Sequence, residues 1–305
     1  MWVKPNFFII GAPKAGTTAL SEYLRSHNNV YFSQPKEPAY FATDFRGRII
    51  NSFNGYMKLF KNADLSTHKA IGEGSTLYLY SNEAVVNILK FQPKAKLIIS
   101  VRNPADLVIS FHAELLKNGA ENEKSFLKAW ELEKARKKGM HIPLSCRDVK
   151  VLFYSERGKL GSQIKRVLSI VPREQIKMIL FDDLVTNPGR VYREVLDFLD
   201  LADDGRKEFP IVNERVWIKH FTFHRVLTTL WRFWLPLRRR INGGKGLGII
   251  RYITNKWNSI PSDKKIDPEV YESLISFYED EVVILEELLN RDLAHWREFP
   301  KVSFP

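Results

Sequence analysis

Phe7-Phe8-Ile9-Ile10-Gly11-Ala12-Pro13-Lys14-Ala15-Gly16-Thr17-Thr18-Ala19-Leu20 is an apolar strand that runs into a glycine-bounded loop and opens a helix. The β-type run stops at Gly11 and the helical pattern starts near Thr17, so the chain must turn within a few residues. Gly11 and Gly16 permit that tight turn and let successive N–H groups face one anion, while the new helix contributes the positive end of its dipole. The segment Ala12, Pro13, Lys14, Ala15, Gly16, Thr17 and Thr18 therefore reads as a phosphate cradle. The glycine spacing is that of a Walker-type loop, but Thr17 stands in the usual lysine slot and the loop cation is Lys14.

Further apolar β-type runs are predicted around Lys69 to Ile71, at Leu97 to Val101 and at Ile176 to Phe181. Helical patterns cover Thr17 to Ser26, Asn82 to Leu89, Ala105 to Leu116, Phe126 to Lys138, Gln163 to Ile170 and Gly189 to Leu199. Strands alternating with helices predict an α/β fold whose parallel sheet is covered on both faces, with ligands at the carboxyl ends of the strands. A second motif falls at such an end: Leu97-Ile98-Ile99-Ser100-Val101-Arg102-Asn103-Pro104, with Ser110 on the helix that follows. Asn103 suits an N-cap and Pro104 the first helical position, and an arginine fork there can hold a phosphate bidentately.

The chain has 305 residues, 44% hydrophobic and 27% charged, which fits an ordinary globular protein with a substantial core. Cys146 is its one cysteine, so no intramolecular disulfide forms and a reducing compartment is expected. The first strand begins by Phe7, leaving no room ahead of it for a signal peptide. No apolar run approaches the roughly 20 residues that cross a bilayer. A cytoplasmic protein is the expectation. Net charge is +12, and between Asn213 and Lys256 ten Lys or Arg face the single acid Glu214, so anionic partners are expected.

A strand followed by G-x-x-K-x-G-T-T and a helix resembles the 5′-phosphosulfate loop of the sulfotransferases that use 3′-phosphoadenosine 5′-phosphosulfate (PAPS). The resemblance implies a P-loop-like α/β fold, with Lys14 stabilising the departing phosphate and Thr17 and Thr18 holding the 5′-phosphate. Arg102 and Ser110 match the R-x-P-x-x-x-x-x-S segment that binds the 3′-phosphate in that family. Tyr31-Phe32-Ser33-Gln34-Pro35-Lys36-Glu37-Pro38-Ala39-Tyr40-Phe41 resembles the K-E-x-x-[FY]-F element of heparan-sulfate-type and bacterial members. Its glutamate is the catalytic base, which implies that role for Glu37; Lys36 would steer the sulfate or pair with Glu37. Gly72-Glu73-Gly74-Ser75-Thr76-Leu77-Tyr78 resembles the G-E-K-S-P-x-Y element lining the cleft, but Gly74 replaces the lysine of many relatives and Thr76 replaces the proline. Lys36 or a later basic residue would then have to supply the missing charge. The scaffold resemblance continues from Ser155 to Leu201, and Tyr271 to Trp296 resembles the closing helices of bacterial members.

His112 is the competing base, though its place just after Ser110 suits a packed or surface histidine better. No metal is expected, since His220 and His224 have no obvious third ligand. The segment from 202 to 260 interleaves Trp217, Trp231, Phe233 and Trp234 with arginines and predicts a helix from Phe223 to Leu235; the resemblance to the family, in which a loop of this region closes over the nucleotide, implies Lys245 as a candidate for a further 3′-phosphate contact. It reads either as a surface for an anionic glycan or membrane, or as a helix packed on the core with a solvated basic rim.

Together these features predict one sulfotransferase domain over residues 1–305. It comprises an α/β core (1–201), the basic aromatic segment (202–260) and C-terminal helices (261–305). The expected reaction moves a sulfuryl group from PAPS to a hydroxyl or amine of a glycan, lipid or small metabolite and releases 3′-phosphoadenosine 5′-phosphate (PAP). Peripheral membrane contact is left open and nucleic acid is not expected. A nucleotide kinase and a non-catalytic polyanion-binding or membrane-surface protein are the alternatives.

Overall fold

The computed structural model describes residues 2–210, 216–218, 259–261 and 267–299. From the N-terminus the elements are β1 (Phe7–Gly11), α1 (Thr17–Arg25), β2 (Val30–Phe32), α2 (Phe53–Met57), β3 (Ala70–Gly74), α3 (Leu77–Tyr80), α4 (Ala84–Phe91) and β4 (Lys96–Val101). They continue with α5 (Pro104–Asn118), α6 (Phe126–Glu131), α7 (Glu133–Lys137), α8 (Tyr154–Arg157), α9 (Leu160–Leu168), β5 (Ile176–Leu180), α10 (Phe181–Thr186) and α11 (Pro188–Phe198). The short strands β6 (Val216–Ile218) and β7 (Ser259–Pro261) and the helices α12 (Pro268–Phe277) and α13 (Glu279–Leu289) follow.

Contacts divide the chain into two compact units, the first taking Met1–Leu107, Arg157–Asn213 and Ile275–Glu298. It is built on a five-stranded parallel sheet in the order β2-β3-β1-β4-β5. Because every ladder is parallel, the carboxyl ends of all five strands share one edge. β1 is central, and the order reverses beside it between β3 and β4, which is where open α/β sheets bind ligands. All five residues of β1 are buried, so an apolar run without alternation is what this position requires. Phe7, Ile9, Ile98 and Ile179 pack with Leu20 and Leu24 of α1 and with Val191, Tyr192, Val195 and Leu196 of α11. On the opposite face Phe8 meets Phe41 edge-on at 5.9 Å, and Phe41 packs against Tyr56, Tyr78 and Phe91 from α2, α3 and α4.

The departures from the sequence reading have local causes. β3 runs to Gly74 rather than stopping at Ile71, because ladders to β1 and β2 hold a Gly-Glu-Gly stretch of low intrinsic strand preference. Glycine is needed at 72, where a Cβ would lie 2.4 Å from the Phe7 ring. Three-residue β2 is too short to carry a periodic signal. α11 begins at Pro188 with the Asn187 side chain accepting from the Arg190 N–H at 3.1 Å, an N-cap with proline at the first helical position.

The second unit takes Val108–Glu156, Glu214–Leu274 and Phe299–Pro305. The helix predicted from Phe126 to Lys138 is interrupted at Leu132, giving α6 and α7; α7 is anchored separately, by Glu133 on Ser155 and Arg136 on Glu121. β6 and β7 pair antiparallel. The helix predicted from Phe223 to Leu235, Lys245, and the His220 and His224 pair lie outside the described residues. Among the described residues no helix is long and apolar enough to cross a membrane.

Candidate active site

The loop between β1 and α1 is set by two left-handed residues. Gly16 is the N-cap of α1 at φ 75°, and a Cβ there would lie 2.5 Å from Leu184 Cδ2, so both backbone and space demand glycine. No side chain caps this end of the helix. The N–H groups of its first turn therefore face outward with the dipole behind them, as an anion requires. Lys14 holds φ 60° without being glycine, a strained state of the kind that collects at functional loops. The loop is tied down from β4: the Ala12 N–H donates to the Ser100 carbonyl at 2.7 Å, and the Ser100 hydroxyl donates to the Ala15 carbonyl. Arg102, only 5% exposed, donates from Nη1 to the Lys14 carbonyl at 2.8 Å and lies 4.5 Å over the Phe181 ring. Arg102 thus supports the shape of the loop as well as standing at the strand end where the sequence put it.

The segment after β2 brings Glu37 to the same edge. Glu37 and Ala39 also take left-handed backbone, at φ 64° and 53°. The segment is pinned to β3 by the Glu37 N–H on the Gly74 carbonyl at 2.8 Å and the Ala39 N–H on the Ser75 hydroxyl at 3.0 Å. One carboxylate oxygen of Glu37 accepts from the Thr76 N–H at 2.8 Å and from the Thr76 hydroxyl at 3.1 Å. The other accepts from Lys36 Nζ, one of the two roles that the sequence leaves open for Lys36. Lys36 Nζ also approaches the Thr17 hydroxyl, at 3.5 Å. The loop, Lys36, Glu37 and Thr76 are therefore joined in one hydrogen-bonded network.

Two contributions were not foreseen. Thr76, where the resemblance expects proline, orients Glu37 through a backbone N–H that proline lacks. Glu73 is fully buried and takes hydrogen bonds from Tyr78 at 2.6 Å, Ser75 at 2.9 Å and Tyr56 at 3.3 Å. Burial pushes its carboxyl up to about 7, the hydroxyls of Tyr78 and Ser75 oppose that, and the nearby Glu37 charge adds to it. The visible signal for Glu73 was an acid between two glycines inside a strand.

Ser110 is buried on α5 within the second unit. His112, in that unit, makes a 2.9 Å hydrogen bond with the Glu123 carbonyl and packs between Phe126 and Tyr154. Burial lowers its pKa, as in a packed core histidine.

The family model described as "Sulfotransferase domain" matches residues 4–225. A crystal structure of a sulfotransferase from Alicyclobacillus acidocaldarius is similar over 97% of this chain and 100% of its own, at 26% identity and a TM-score of 0.71. Among curated relatives, mouse bifunctional heparan sulfate N-deacetylase/N-sulfotransferase 3 is 25% identical over 301 residues, covering 94% of this chain and 30% of that protein. Human heparan sulfate glucosamine 3-O-sulfotransferase 5 is 27% identical over 199 residues, covering 65% of this chain and 54% of that protein. The chain thus spans under a third of the first of these relatives and about half of the second.

Proposed function

The chain belongs to the sulfotransferase domain family, and we propose that it transfers a sulfuryl group from PAPS to a hydroxyl or amine of an acceptor, releasing PAP. The observation that carries this reading is the network joining the β1–α1 loop to Glu37 through Lys36 and Thr17. It sets an anion-binding helix end beside a carboxylate oriented by two donors from Thr76. Such an arrangement suits in-line transfer, with donor and acceptor held on opposite sides of the sulfur.

The bond between sulfur and the bridging phosphate oxygen breaks with its electron pair passing to the phosphate. The acceptor oxygen or nitrogen forms the new bond to sulfur, and its proton goes to Glu37. The amides of Lys14 to Thr18, together with the Thr17 and Thr18 hydroxyls, would hold the 5′-phosphate; the Ala12 N–H is given to the Ser100 carbonyl and is not among them. Lys14 would neutralise charge growing on the leaving oxygen, a stabilisation greatest in the transition state. The roles of Arg102 and Ser110 toward the 3′-phosphate, and of Lys245, rest on the resemblance. Acceptors are proposed among glycans first, following the heparan sulfate relatives, then lipids and small metabolites. One sulfotransferase domain is assigned to the whole chain, acting in the cytoplasm or at a membrane surface.

PAP should raise the melting temperature, and labelled sulfate should move from PAPS to at least one member of a glycan, lipid and phenol panel, with EDTA leaving the rate unchanged. Stabilisation by Mg-ATP instead of PAP would overturn the reading in favour of a kinase. PAP binding without transfer to any acceptor would favour a non-catalytic binder.

A further inference from the structure

Gly74 ends β3 beside Ile9 of the central strand. Its backbone lies outside the left-handed region, so glycine is not required there for conformation. A Cβ at this position would lie 3.2 Å from Phe32 Cζ, 3.5 Å from Ile9 Cβ and 3.5 Å from Lys36 Cε. The stem of Lys36 therefore passes over the face that Gly74 leaves bare. Its side chain is 15% exposed, and its ammonium ends between the Glu37 carboxylate and the hydroxyl of Thr17, the first residue of α1.

We propose that Lys36 is the second cation of the donor site, carried over Gly74 and shared between Glu37 and the anionic end of the donor. This rests on the assignment of the β1–α1 loop to a phosphosulfate. An anion seated at the α1 N-terminus draws the ammonium toward Thr17, because a multiply charged group outcompetes a single carboxylate at short range. The oxygen of Glu37 released by Lys36 then becomes available to the acceptor proton. The other oxygen stays fixed by Thr76, so the base keeps its orientation. Donor binding and availability of the base are in this way coupled through one side chain.

Calorimetry with PAP and with adenosine 3′-phosphate, which lacks the 5′-phosphate, tests the assignment. Lys36→Met should weaken PAP roughly tenfold, in line with the removal of one charge-assisted contact, and leave adenosine 3′-phosphate unchanged. Adding Gly74→Lys to that variant should restore PAP binding, because the new side chain starts where the Lys36 stem now lies. Unchanged PAP affinity in Lys36→Met overturns the proposal, as does equal weakening of both nucleotides, which a folding defect would produce. A double variant that melts like the wild type yet recovers no affinity also overturns it. Wild-type protein that does not bind PAP overturns the donor assignment itself.

Discussion

Glu73 in the first unit and Glu121 in the second are both buried carboxyls that accept a hydrogen bond from a tyrosine hydroxyl, from Tyr78 at 2.6 Å and Tyr154 at 2.8 Å. Their protonation equilibria nevertheless move in opposite directions. Burial dominates at Glu73 and raises it to about 7. At Glu121 burial also pushes upward, but the Arg136 fork, at 2.7 and 2.8 Å, together with the Glu123 N–H and Tyr154, outweighs it and holds the carboxyl below its ordinary range. A guanidinium is the difference. The scaffold pair is fully neutralised in place, whereas the carboxyls near the candidate active site have either hydroxyl partners or, at Glu37, a lysine that can exchange partners. Neutralisation fixed in place serves stability; neutralisation that can be exchanged suits proton transfer.

The strongest way to break this contrast is at Glu37. Glu37→Gln should lower turnover by about 10²- to 10⁴-fold while retaining PAP binding and melting temperature, measured by labelled sulfate transfer and thermal shift. Equal loss of binding and turnover would deny the separation of base from donor site. The converse holds for the scaffold pair. Arg136→Ala leaves Glu121 buried without its cation and should cost about 3–5 kcal/mol in urea denaturation; an unchanged midpoint would show that the pair is not what holds α7.

A smaller effect sharpens the comparison at Glu73. Its folded pKa lies above its ordinary 4.5, so between pH 4.5 and about 7 the folded protein keeps a proton that the unfolded chain has released. The stabilisation is complete below the lower value and is lost as pH rises through the upper one. His112, with its pKa lowered by burial, contributes the opposite trend, so wild type and Glu73→Gln must be compared across pH. The melting temperature of Glu73→Gln relative to wild type should rise over that window. A constant difference would place the Glu73 equilibrium elsewhere.

The elements most legible in the sequence are those whose information is contiguous. β1, its glycine-bounded loop and α1 are each signalled by neighbours in the chain, and so is the Asn103-Pro104 start of α5. Lys14 and Arg102 could be singled out because their strand ends were visible; Glu37 was singled out only through the resemblance. β3 was cut short because its preference for the strand lies in its neighbours rather than in Gly-Glu-Gly.

The sequence alone determined a parallel α/β sheet and a glycine-bounded loop between its first strand and first helix, because periodicity, glycine spacing and capping are local properties of the backbone. Only the tertiary structure decided what surrounds Glu37. Its partner Thr76 is 39 residues away in the chain, and the room over Gly74 is filled by a side chain from another strand end. The state of Glu73 likewise depends on the dehydration and hydroxyl partners supplied by folded neighbours. Hydrogen-bond geometry and electrostatics act through space, and they were fixed when β1, β2 and β3 came into register.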